Sequence, residues 1–152
     1  LLDVGRIPAK ELTMSDKLKA LVVHGDPKDT LPVATMLQDN AFDVEHAPHG
    51  PAAFAALLRS RFDLVVTDIK LKRLDGFHVI EAVKGLNFPA KIIAFSGPVG
   101  KAGARGLLDV ARAVGAHATL ERPHKPSQLW HLLRTLFPQN VQDRRKGPRE
   151  PS

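Results

Sequence analysis

DLVVTDIKLKRLDGFHVIEAVK, residues 63–84, decides the fold. Its first six residues, DLVVTD, carry a Leu-Val-Val core rich in β-branched residues and end at Asp68. That is how a strand covered on both faces reads. IKLKRLDG (69–76) closes on Asp-Gly, a turn signal. FHVIEAVKGL (77–86) then places Phe77, Ile80 and Val83 at helical spacing.

The same strand-then-helix unit recurs on either side. Upstream, KALVV (19–23) is a strand, and HGDP turns the chain into a helix over 28–38. Asp26 is placed to cap that helix and Pro27 suits its first turn. Leu31, Ala34, Leu37 and Gln38 mark its spacing. FDVEHA (42–47) alternates like an edge strand, and Gly50 and Pro51 open a helix with Phe54, Leu57 and Leu58 on one face. Downstream follow the strand KIIAFSG (91–97), a helix over 104–116 stopped at Gly115, the strand HATLERP (117–123) and the helix SQLWHLLRTLF (127–137). Trp130 and Phe137 are expected to pack inward. Five such repeats predict an α/β fold: a flavodoxin-like, doubly wound, five-stranded parallel sheet, (βα)5, in three α/β/α layers. Its functional crevice lies beyond the carboxyl ends of the strands. The residues there are His24, Gly25 and Asp26, then Asp68, then Ser96 and Gly97, then Arg122 and Pro123.

Composition narrows the function. The 152 residues suit one domain, with 43% hydrophobic and 25% charged residues. No cysteine is present, which excludes disulfides, thiolate metal sites and a cysteine nucleophile. No apolar run approaches membrane-spanning length, so no membrane partner is expected. The net charge is +6, of which the last 15 residues contribute +2 and the body a diffuse +4. A nucleic-acid partner would want a concentrated stripe, and none is evident. The seven histidines lack the pairing of a zinc helix, and GPVGKAGARG (97–106) is not a phosphate-binding P-loop. Residues 1–16 read as an N-terminal extension or a cloning remnant, 17–138 as the folded domain and 139–152 as a basic tail or linker.

Taken together, LVVHGDP, DLVVTD with its Asp-Gly, IIAFSG and GAHATLERPHKPSQL resemble the response-regulator receiver (CheY-like) family over about residues 19–137. The resemblance implies a non-enzymatic, cytoplasmic, bacterial two-component signalling domain that at most catalyses its own phosphorylation. In that family an acid pair after the first strand and an aspartate after the third bind Mg²⁺, with a backbone carbonyl two residues on. A Ser or Thr and a Lys contact the phosphoryl oxygens. Carried over, Asp68 is the phosphoacceptor and a metal ligand, Ser96 the hydroxyl, and Lys70 lends its carbonyl. The acid pair falls on His24 and Gly25, because Pro27 sets the register and leaves Asp26 one place beyond, as a weak metal ligand at best. The Lys position holds Arg122, whose bond to Pro123 the family would make cis.

Mg²⁺ is therefore expected to bind weakly or not at all, since one of three carboxylates remains. Arg122 can hold Asp68 in an ion pair in place of a phosphoryl group. The sequence thus points to a pseudo-receiver acting through protein contacts, to a histidine kinase or an output domain, over about residues 104–137. Two alternatives stay open. One is a working receiver phosphorylated on Asp68 by a histidine kinase. The other is the regulatory part of a cyclic di-GMP effector, because Arg145 and Arg149 in DRRKGPREP resemble the opening of a PilZ domain. Homodimerisation is also left open.

Overall fold

The computed structural model describes residues 17–71, 75–86, 89–97 and 105–141. The strands are β1 (Leu18–Val23), β2 (Phe42–Ala47), β3 (Leu64–Asp68), β4 (Lys91–Ser96) and β5 (Ala118–Glu121). The helices are α1 (Pro27–Asp39), α2 (Gly50–Arg59), α3 (Gly76–Gly85), α4 (Arg105–Val114) and α5 (Pro126–Leu136). All strand pairs are parallel, in the order β2-β1-β3-β4-β5. This is the doubly wound, flavodoxin-like α/β fold.

β3 sits at the centre, and every one of its residues is buried. Its side chains alternate between the two faces. Val65 joins α2, α3 and α4 in one core, with Ala53, Leu57, Val79, Ile80 and Leu108. Leu64 and Val66 join α1 and α5 in the other, with Val33, Leu37, Leu129, Trp130 and Leu133. Such two-sided burial is why its sequence runs apolar without alternating. Trp130 packs inward and is fully buried; Phe137 is partly buried beside Phe42.

Two helical phases differ from the sequence expectation. On α1 the buried residues are Thr30, Val33, Met36 and Leu37, while Leu31 is 65% exposed and Gln38 is exposed. On α2 they are Gly50, Ala53, Ala56 and Leu57, while Leu58 is 83% exposed. In each helix one expected leucine, Leu37 or Leu57, is buried and the rest of the buried stripe lies about one position away from the expected one. The third strand also starts one residue late. Asp63 ties the start of β3 to β1 instead: its Oδ2 accepts from the Lys19 amide at 2.8 Å.

The β3–α3 loop fixes what lies beyond Asp68. Asp75 caps α3, accepting from the His78 amide at 3.1 Å. The Gly76 amide donates to the Ile69 carbonyl at 2.7 Å. A Cβ at Gly76 would strike the Asp68 carbonyl and the Ile69 Cα. Only glycine lets the helix start so close to the end of the central strand.

At the opposite end of the sheet, the Ile92 amide donates to His117 Nδ1 at 3.0 Å. Burial holds this imidazole below its ordinary pKa, helped by Lys91 and Lys84. A base with a depressed folded pKa binds fewer protons folded than unfolded. Its stabilising contribution is therefore complete above the ordinary histidine value and is lost as pH falls from there through the depressed folded value. Urea midpoints measured from pH 8 to 5 should fall for the parent more steeply than for His117→Asn over that window. Parallel curves would refute the role of His117.

Candidate functional site

The carboxyl ends of β1, β3, β4 and β5 converge as the fold requires. Asp68 ends β3 and is 6% exposed. Arg122 follows β5, its amide donating to the Ser96 carbonyl at 2.8 Å, and the Arg122–Pro123 bond is cis. From there Arg122 Nη1 donates to Asp68 Oδ1 at 2.7 Å. The guanidinium also lies over the Phe95 ring, 5.3 Å from its centroid. This pair is largely out of water, with side chains 17% and 7% exposed.

His24 follows β1 and stands on the other side of the carboxylate. Its Nδ1 lies 3.5 Å from Asp68 Oδ2. That length makes the contact an ion pair and not a geometric hydrogen bond, and Nδ1 is buried without another partner. Its Nε2 meets Asp29 Oδ2 at 2.9 Å. Asp68, against burial and with help from Asp29, holds the His24 imidazole above its ordinary pKa, and His24 in turn lowers that of Asp29. The result is a line of side chains, Arg122, Asp68, His24, Asp29, that alternates in charge when His24 is protonated. Arg122 faces one oxygen of Asp68 and the His24 imidazole the other.

The remaining residues lie around this line. Gly25 is exposed; a Cβ there would sit 3.2 Å from the Pro48 carbonyl. Asp26 is exposed and caps α1, accepting from the Lys28 amide at 3.0 Å. Ser96 is buried and its hydroxyl donates to the Gly97 carbonyl at 3.1 Å. Lys70 is exposed just beyond β3. Arg145 and Arg149 lie outside the described residues. Among the described residues, no three His, Cys, Asp or Glu side chains cluster to hold a metal ion. Asp29 was not singled out from the sequence. Its signal is its position in the first turn of α1, which aims it back across the strand ends.

The profile of the family described as the response regulator receiver domain matches residues 20–134. The chain belongs to the response regulator receiver family. Among curated relatives, the receiver is 30% identical over 82 residues to the transcriptional regulatory protein RprY of Bacteroides fragilis, covering 54% of this chain and 35% of RprY. Across the first curated relatives the matched stretch spans only 30% to 55% of their length. Among solved structures, the receiver is similar to the chemotaxis response regulator CheY4 of Vibrio cholerae. That match has a TM-score of 0.68 and 26% identity over 80% of this chain and 99% of CheY4. It shares its fold with the receiver domain of the sensor histidine kinase PA1611 from Pseudomonas aeruginosa PAO1, solved with a magnesium ion coordinated in the active-site cleft. There the TM-score is 0.67 at 22% identity, covering 79% of this chain and 97% of that one. Among the described residues of this receiver, no helix is long and apolar enough to cross a membrane.

Proposed function

We propose that this chain is a pseudo-receiver: residues 17–138 form a receiver domain that signals through protein contacts without normal phosphoryl chemistry at Asp68. The observation that carries the reading is the Arg122–Asp68 contact of 2.7 Å. An ion pair already neutralises the carboxylate that an acceptor would have to offer as a nucleophile. His24 lies against the second oxygen.

The donor set is a poor match to Mg²⁺, which takes hard oxygen ligands in near-octahedral geometry. Asp68 faces the Arg122 guanidinium and the His24 imidazole, Asp26 is turned to its helix cap, and Gly25 has no side chain. An imidazole suits softer metals. Mg²⁺ therefore binds weakly or not at all, and negative charge developing on an incoming phosphoryl group is left without its usual counter-ion. The contact surface that remains is α4, β5 and α5, about residues 104–137, facing a histidine kinase or an output domain.

The test is incubation with acetyl phosphate and Mg²⁺, read by intact-mass spectrometry. Little or no adduct is expected. Rapid stoichiometric labelling that Asp68→Asn abolishes would instead establish a working phosphoacceptor.

A further inference from the structure

A second concavity opens beside the charged line, between α1 and the β5–α5 connection. Its volume is about 350 Å³, within the range of small-molecule sites. The floor is apolar, made of Met36 and Leu129. Three of its nine lining residues are prolines, Pro32, Pro123 and Pro126. Prolines offer no backbone N–H, so these walls cannot donate to a polar ligand, and their fixed φ makes the wall rigid. The polar rim is Lys28, Arg122 and His124 against one carboxylate, Asp29. Asp29 is already paired with His24 at 2.9 Å. Arg122 is paired in turn, with Asp68, so Lys28 supplies the rim's unmatched positive charge, above a hydrophobic floor.

We propose that this cleft binds a small amphiphilic anion, a carboxylate on an apolar body, with its body on Met36 and Leu129 and its head between Lys28 and Arg122. Size, wall and charge each select this class. An inorganic anion would leave the floor unfilled, and a neutral apolar molecule would leave Lys28 unmatched. A lining short of backbone donors disfavours a sugar or a peptide, which needs many.

Arg122 belongs to both the cleft and the pair with Asp68. The ligand head and the Asp68 carboxylate therefore compete for one guanidinium. A bound anion draws Arg122 outward and loosens Asp68, so the cleft is an input to the receiver that needs no phosphoryl donor. This coupling rests on the lock proposed above; the cleft itself does not.

The experiment is titration of the intact chain with 3-phenylpropionate, followed by amide NMR shifts and by Trp130 fluorescence. Neutral 3-phenylpropan-1-ol and acetate serve as the two half-probes. Saturable binding is expected for 3-phenylpropionate, with shifts confined to residues 28–36 and 122–130 and to the strand ends around His24 and Asp68, which Arg122 contacts directly. Each half-probe should bind more weakly, and Lys28→Glu should weaken 3-phenylpropionate roughly tenfold, the effect of one lost charge-assisted contact. Asp68→Asn should tighten it severalfold by freeing Arg122. Equal binding of the alcohol, shifts elsewhere in the domain, or no saturation would overturn the proposal. If Lys28→Glu weakens binding and Asp68→Asn leaves it unchanged, the cleft stands and the Arg122–Asp68 lock falls.

Discussion

Arg122→Met should destabilise the receiver by about 3 kcal/mol in urea, the low end of the range for breaking a buried ion pair from one side. Methionine keeps an aliphatic stem of similar reach but not the guanidinium over Phe95, so the loss reports the charge and that ring contact together. Asp68 is 6% exposed, so an unmatched carboxylate there has little access to water. His24 keeps the cost at the low end, because it still faces Oδ2. Asp68→Asn alone should also destabilise, since it leaves the largely buried Arg122 guanidinium without its anion and removes the carboxylate that raises the His24 pKa. Combining the two removes both problems at once. The double-mutant cycle should therefore show a favourable coupling of about 1–3 kcal/mol, the range for residues in one ion-pair network. A coupling near zero would mean that the 2.7 Å contact does not hold Asp68 in solution. It would also remove the main support for the pseudo-receiver reading.

Much of this arrangement was legible in the sequence because parallel sheets concentrate function at strand ends. DLVVTD and KIIAFS are short apolar runs with abrupt polar ends, so each end could be placed to within a residue. That put Asp68, Ser96 and the residues after Val23 and Glu121 in one crevice before any coordinates. Helical phase was harder to read. In α1, Leu31 is apolar but exposed and Thr30 is polar but buried, so hydrophobicity alone misplaces the stripe. In α2 the alanines carry the buried face, and they give a weaker signal than the exposed Leu58. The Asp29–His24 contact is local, five residues apart, but it depends on how the turn after β1 orients the first turn of α1. The cleft depends on which side of the sheet α1 lies and on its approach to the β5–α5 connection. That follows from the strand order β2-β1-β3-β4-β5, which no local stretch of sequence encodes. Once α1 and α5 share a face, Met36 and Leu129 line one cleft.

Rebuilding the acidic site should convert the domain into one whose stability depends on Mg²⁺. In the His24→Asp, Arg122→Lys variant, a carboxylate replaces the imidazole between Asp68 and Asp29, and the bidentate-capable guanidinium becomes a point charge. Three acids then crowd the strand ends, with their former cationic partners removed or weakened. Like charges so close destabilise the fold in the absence of a cation. In EDTA the variant should therefore melt well below the parent. Added Mg²⁺ should restore stability by mass action, with about 2.7 kcal/mol regained when the free ion reaches a hundred times its Kd. The parent, with Asp68 held between Arg122 and His24, should melt at the same temperature with and without Mg²⁺. Adding Gly25→Asp should steepen the response less than a free third ligand would. Its Cβ meets the Pro48 carbonyl at 3.2 Å, and the β2–α2 loop must give by a few tenths of an ångström before the new carboxylate can be used. A parent that itself stabilises with Mg²⁺ would show that the ion displaces Arg122 from Asp68. The substitutions at positions 24 and 122 would then have left the original chemistry in place.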